Sequence, residues 1–260
     1  MGSRVEVLND HGYRSDGRRQ FELRDIGIDL SQQNFADGSA IISHGLTQVL
    51  VSVLGPREAK SRSQTIHDRA NINVELNVAA FSTGERRRRS KNDKRILEMA
   101  AAIRSTFEPV IQTNLFPRSQ IDIYVQVLQQ DGGVLQTCIN GTTLALINAG
   151  IPLNDFACAI TCGAHSTSPL LDLSLLEEND LPHMTIAMLP KTGRVTLVTM
   201  ETRLHVDRFE ELLGLALEAG NVLHEEMKLA IDKRSRTLVA AMKITWPGVG
   251  EDLVEKDFDH

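Results

Sequence analysis

The sequence predicts an α+β protein in which mixed sheets pack against helices, and three observations carry that reading. Apolar residues alternate with period two in several separate stretches, the mark of half-buried strands, and recur at helical spacing in others. The two periods interleave in the order β-β-β-α-β-α-β-β-β-α, unlike the regular β-α units of a parallel fold. No Pro/Gly linker and no internal repeat divides the 260 residues, and 42% hydrophobic content suits a globular chain with a sizeable core.

Each element has its own signal. Residues 39–54 alternate and turn at His44-Gly45, which predicts a hairpin, and Asn71–Ala80 alternate again through Ile72, Val74, Leu76 and Val78. Asn92 is placed to cap a helix to about Gln112, with Ile96, Met99, Ile103, Phe107 and Val110 on one face. Ile121–Leu128 reads as a strand, and Asp131-Gly132-Gly133 then turns the chain into a second helix ending at Gly150. Strands follow near 157–165, 184–189 and 194–200, the last two joined at Lys191-Thr192-Gly193. Asp207 with Glu210 makes a capping box for a long amphipathic C-terminal helix. Residues 1–11 read as an N-terminal extension, 12–243 as the folded body and 244–260 as a disordered acidic tail.

Composition excludes some classes of function. No apolar run approaches the roughly 20 residues of a membrane span and no signal peptide is visible, so no membrane partner is expected. Cys138, Cys158 and Cys162 cannot pair completely, and they read as buried reduced thiols of a nuclear or cytosolic protein. His67, His165 and His205 have no metal-triad spacing, so neither a metal nor a cofactor is expected. The net charge of −6 hides a segregation: residues 57–104 hold twelve basic and six acidic residues. A basic patch on an acidic body suits a polyanion, although Arg86–Arg89 alone could equally be a solvated loop or a nuclear-targeting run.

The stretch Asp131-Gly132-Gly133-Val134-Leu135-Gln136 is the sharpest local signal. A glycine turn opening a helix aims free N–H groups and the positive end of the dipole at one point, a natural anion pocket. A phosphate site would normally add a basic or hydroxyl side chain, whereas Val134, Leu135 and Gln136 follow here. A plain strand-to-helix turn explains the glycines equally well. Lys94 and Arg95, in the first turn of the preceding helix, oppose its dipole and suggest a bound phosphate backbone.

Taken in order, several motifs resemble the RNase PH family, and within it the exosome ring subunits. They are Arg14-Ser-Asp-Gly-Arg-Arg19, Ala36-Asp-Gly-Ser-Ala40, Gly55-Pro56, Asn73-Val-Glu75, Gln130-Asp-Gly-Gly133 with Asn140-Gly141, and Ala149-Gly-Ile-Pro152. Asp172-Leu173 and Glu177-Glu178-Asn179 complete the match, which runs from about residue 12 to 240. The resemblance implies an RNase PH-like (ribosomal protein S5 domain 2-like) β-α-β-α sandwich. It also implies a heterodimer with another RNase PH-like subunit, three pairs closing a ring around single-stranded RNA. Cap subunits with S1 and KH domains and a hydrolytic exoribonuclease are the further partners implied, in nucleus, nucleolus and cytoplasm.

Active members of the family use phosphate to release nucleoside diphosphates from RNA 3′ ends. They place a Thr-Arg or similar pair after the turn glycines and a spaced pair of aspartates nearby. Here Val134-Leu135 replace the first pair, and the register of Met184–Met188 maps the second onto Glu177 and His183, while a one-residue gap would bring Glu178 or Asp180 into play. The resemblance therefore implies a degenerate phosphate site (Gly132, Gly133, Val134, Leu135, Gln136) and a degenerate acidic site (Glu177, His183). By position, Arg62, Ser63, Lys94 and Arg95 match the family's RNA-holding residues. The leading expectation is a ring subunit that guides RNA without catalysis, for rRNA maturation and mRNA turnover. A phosphate-dependent exoribonuclease and a purely structural ring component are the alternatives.

Overall fold

The computed structural model describes residues 7–9, 11–31, 33–59, 65–86, 93–165 and 168–245. Their first sheet contains β1 (Ile26–Leu30), β2 (Gly38–His44), β3 (Thr47–Glu58), β4 (Asn71–Val78) and β5 (Ser119–Gln129). Its order is β1-β2-β3-β5-β4, antiparallel except for the parallel β4–β5 pair. The second sheet contains β6 (Cys158–His165), β7 (Ser168–Leu171), β8 (His183–Leu189) and β9 (Arg194–Met200), antiparallel in the order β7-β6-β8-β9. Helices α1 (Lys94–Phe107) and α2 (Val134–Asn148) lie between the sheets. The short α3 (Leu175–Asp180) precedes β8, and α4 (Val206–Thr245) covers the second sheet. The expected α+β class and the β-α-β-α layering both hold.

Burial follows from the layers. Helix α2 is buried on nearly every side because it touches both sheets, as expected for a helix without a polar face. A Cβ at Gly141 would come within 2.9 Å of Ile42 and 3.0 Å of Val51, so glycine lets α2 seat directly on β2 and β3. Its neighbour Asn140 donates to the Ala159 carbonyl (2.9 Å) and accepts the Ala159 N–H (2.7 Å). It thereby satisfies β6 beyond the reach of β7, which pairs only from Cys162 to His165. Strand β6 is covered on both faces: Ile160, Cys162 and Ala164 pack with Leu212, Ala216 and Leu223 of α4. Phe107 of α1 is fully buried in the larger core, a contribution of about 1.5–3 kcal/mol.

Several boundaries differ from the sequence reading. Asp93, not Asn92, caps α1: its carboxylate accepts the Arg95 N–H at 3.2 Å, and Asn92 lies outside the described residues. The helix stops at Phe107 rather than near Gln112, because Pro109 follows its cap and Ile111 leaves to bridge Leu153. Helix α4 begins at Val206, so Asp207 sits inside its first turn, where its N–H donates to the His205 imidazole at 3.4 Å. Strands β1 and β7 and helix α3 were not expected at all. They span 5, 4 and 6 residues, too short for a period to register.

Candidate functional site

The glycine turn joins β5 to α2, and its backbone admits no side chain. Gly132 has φ 78° and Gly133 φ 60°. A Cβ on Gly132 would lie 2.6 Å from the Leu173 carbonyl oxygen, and one on Gly133 2.7 Å from Gln136 Nε2 and 2.8 Å from the Arg24 guanidinium. Both the conformation and the space therefore require glycine.

Arg24 pins this turn from below. Its Nη1 donates to the Asp131 carbonyl (2.7 Å), and its Nη2 to the Gly132 carbonyl (3.4 Å) and to Asp172 Oδ1 (2.7 Å). Its backbone N–H also reaches Asp172 Oδ2 at 2.9 Å. Thr47 adds a hydroxyl that donates to the Gly132 carbonyl (2.7 Å) and accepts the Asp131 N–H (3.0 Å). Burial alone would raise the Asp172 carboxyl, but the hydrogen bonds and charge of Arg24 outweigh it and hold it well below the usual carboxylate range. His44 is sealed beside this pair, within hydrogen-bonding distance of Asn140 (3.3 Å). Burial pushes its imidazole down to about 4; Arg24 adds to that shift and Asp172 opposes it.

This arrangement revises two expectations. Gln136, read as part of the degenerate phosphate site, is 1% exposed and faces inward. Its Nε2 donates to Asp172 Oδ1 at 2.6 Å and its Oε1 accepts the Thr161 N–H, so it ties α2 to β6. Glu177, read as one half of the degenerate acidic site, is also a tie. Arg14 grips it through Nε (2.8 Å) and Nη2 (2.6 Å), and its carboxylate further accepts the Ser174 N–H at 2.8 Å. Burial opposes ionisation, but these partners hold Glu177 below its ordinary value. Arg14 also donates to the carbonyls of Leu171 and Asp172, so the Arg14–Arg19 motif clasps the start of the α3 segment.

The carboxylate beside the glycine turn belongs to Glu178. Its Oε1 accepts the Gly133 N–H at 3.4 Å and lies 4.0 Å from His183 Nε2. The opposite ring nitrogen, Nδ1, sits 3.1 Å from the Leu181 carbonyl, which favours a proton on Nδ1 and leaves Nε2 toward Glu178. Burial raises the Glu178 carboxyl, against the pull of His183, the Gly133 N–H and Arg24. Val134 is buried and Leu135 half-buried against the larger core. The positive end of α2 thus faces a carboxylate of its own chain, while its leading side chains are apolar.

The basic segment divides by role. Arg62 and Ser63 lie outside the described residues, as do Lys60, Arg87–Arg89 and Lys91. Arg57 pairs with buried Asp122, which also accepts from Asn73 at 3.0 Å and Gln120 at 2.6 Å. Arg69 pairs with Glu108 at 3.2 Å. Lys94 and Arg95 are exposed. The Asp93 carboxylate caps α1 beside these two cations by accepting the Arg95 N–H. All three cysteines are buried, and burial pushes the Cys138 and Cys158 thiols up to about 12, which leaves them inert.

Residues 22–152 match the 3′ exoribonuclease family, domain 1, and residues 155–219 match its domain 2. The chain belongs to the RNase PH family. The two matched segments follow the two sheets, meeting between α2 and β6. Among curated relatives, the human exosome complex component RRP41 is 47% identical over 222 residues, covering 85% of this chain and 91% of that protein. The Schizosaccharomyces pombe exosome complex component ski6 is 41% identical over 240 residues, covering 92% and 99%. Rice Rrp46 superposes with a TM-score of 0.76 at 24% identity, covering 84% of this chain and 100% of that one. The Archaeoglobus fulgidus exosome with RNA bound to the active site gives 0.74 at 22% identity, covering 83% and 93%. These solved structures share the RNase PH-like fold.

Arg24 is the central site residue that sequence reasoning missed. It stands alone between Leu23 and Asp25, with no motif or period around it. Its role exists only where β1, the glycine turn and Asp172 converge.

Proposed function

We propose that this chain is a non-catalytic ring subunit of an RNA exosome, guiding single-stranded RNA toward a hydrolytic exoribonuclease. The observation that carries the reading is the state of the α2 N-terminus. Arg24 is committed to Asp172 and two backbone carbonyls, the side chains after the glycines are Val134 and Leu135, and Glu178 faces Gly133. Phosphorolysis must bring two anions together, which takes cations and directed N–H groups. A further unit of negative charge about 4 Å from the Glu178 carboxylate would meet roughly 4 kcal/mol of repulsion at an effective dielectric of about 20. That opposes binding of phosphate.

RNA guidance rests on the basic segment and on kinship with exosome components. Lys94 and Arg95 project into solvent, and with Arg62 and Ser63 they would hold backbone phosphates without reading sequence. The ring would pair this chain with other RNase PH-like subunits, beneath S1/KH cap proteins, in nucleus, nucleolus and cytoplasm. There it would serve rRNA maturation and mRNA turnover.

The test is phosphate-dependent release of nucleoside diphosphate from 3′-labelled RNA by the reconstituted ring, with bacterial phosphorolytic enzymes excluded. No release is expected, and clear release reverses the assignment to an active exoribonuclease. Reversing Arg62, Lys94 and Arg95 to Glu should weaken RNA protection and flatten its salt dependence while the ring still assembles. Unchanged RNA protection would leave a scaffold role only.

A further inference from the structure

A cavity of about 580 Å³ opens at the start of α4, against the hairpin end of β6 and the segment linking α3 to β8. Four of its lining side chains carry basic groups: His165, Arg203, His205 and Arg208. Among the described lining residues Asp180 is the single carboxylate. Among the described residues neither Arg203 nor Arg208 forms an ion pair with a carboxylate, whereas His205 Nδ1 lies 3.3 Å from Asp207. Two uncommitted guanidinium groups therefore meet in one concavity of a chain whose net charge is −6. The remaining wall is apolar, with Leu181, Pro182 and Leu204 at its centre.

We propose that this cavity is a docking site for a short acidic peptide segment of a protein partner, with an apolar side chain seated between its carboxylates. Arginine clusters recognise acidic motifs through charge-assisted, often bidentate hydrogen bonds. Volume in the range of about 300–1,000 Å³ suits such a concave site. RNA is the poorer fit, because the apolar wall of Leu181, Pro182 and Leu204 would face its charged backbone. Because the Leu181 carbonyl receives His183, a seated peptide would also brace the wall that carries the degenerate acidic pair.

Fluorescence anisotropy on the purified full chain tests this with a labelled (Glu-Asp-Leu)4 peptide. Saturable binding is expected, weakened at least tenfold by Arg203→Glu or Arg208→Glu. Arg194→Glu, an exposed change on β9, should leave it intact. A (Glu-Asp-Ser)4 peptide should bind several-fold more weakly. Absence of saturable binding overturns the proposal, and so does equal loss in all three variants or equal affinity for the two peptides. Displacement of the peptide by equimolar twelve-nucleotide oligo(U), or by millimolar inorganic phosphate, would reassign the cavity to nucleic acid or to a simple anion and also overturn it. Circular dichroism and urea midpoints confirm that the variants are folded. The measurement needs neither the ring nor phosphorolysis, so its result is independent of the catalytic assignment.

Discussion

Replacing Arg24 by Met tests whether the glycine turn is held from below. The Arg24 side chain is 6% exposed and that of Asp172 1% exposed. The substitution keeps most of the volume but leaves the Asp172 carboxylate with only Gln136 Nε2 at 2.6 Å and the backbone N–H at 2.9 Å, and no cation. Removing one partner of a buried ion pair costs about 3–5 kcal/mol. The Gly132 carbonyl keeps its Thr47 hydroxyl, whereas the Asp131 carbonyl loses its Arg24 donor, so the lower end of that range is the floor. Against a typical net stability of about 5–15 kcal/mol, the variant is marginal. Urea unfolding of the purified chain should show a midpoint shift of that size at constant slope. Adding Asp172→Asn should recover part of it by removing the buried charge. The pH arm has a definite sign. Asp172 has a depressed folded value, so its stabilisation is present above its unfolded value of about 3.9 and is lost as pH falls through the folded one. Without Arg24, burial lifts the Asp172 carboxyl of the variant, so the gap between wild type and Arg24→Met should be largest near neutral pH and close as acid protonates that carboxyl. A loss under about 1 kcal/mol, or a gap that widens in acid, would refute the clasp.

Three further outcomes follow from the same geometry. Leu135→Arg alone should not restore phosphate-dependent nucleoside diphosphate release, because the Glu178 carboxylate still faces Gly133; turnover by that single variant, measured in the ring, would show that the lost guanidinium was the whole defect. His44 is fully buried with a folded value of about 4, below an unfolded value near 6.5, so the unfolded chain binds the extra proton between them. Stability should fall by about 3 kcal/mol from this group as pH drops through that window, and His44→Gln should flatten the urea-midpoint profile there. Gly133→Ala should cost about 2 kcal/mol or more. Gly150→Ala, at φ 72° with nothing within 4 Å of its Cβ, should cost only about 1 kcal/mol of backbone strain; equal midpoints would remove the steric part of the argument.

What the sequence disclosed and what it hid divide along physical lines. Strands β3 and β5, at 12 and 11 residues, and helix α2, at 15, repeat their patterns long enough to be read. Gly132-Gly133 was legible because a turn into a helix with positive φ leaves a compositional mark. Arg14 and Asp172 were visible as pieces of motifs but not as a joint structure, since Arg14 lies 157 to 163 residues from its partners and Asp172 lies 148 from Arg24. Register alone does not separate Glu177 from Glu178, because α3 is helical and turns successive side chains by about 100°. Glu177 consequently points to Arg14 in the interior, and its neighbour Glu178 points to the glycine turn.

On the proposed reading, the same wiring would let phosphate chemistry leave this fold without disturbing it. The side chains that pin the turn or its helix include Arg24 on the approach to β1, Thr47 at the start of β3, Asp172 after β7, and Gln136 and Asn140 on the inward face of α2. Positions 134 and 135 contribute packing alone, Val134 buried and Leu135 half-buried. Substitution there changes what the helix terminus can bind while leaving the hydrogen bonds that position it. Substitution at 24, 133, 136 or 172 changes the scaffold itself. What the helix terminus can bind and what holds it in place thus rest on different residues of one turn. Val134→Thr should consequently shift the urea midpoint far less than Gln136→Leu, which strands the Thr161 N–H and takes a donor away from the buried Asp172 carboxylate.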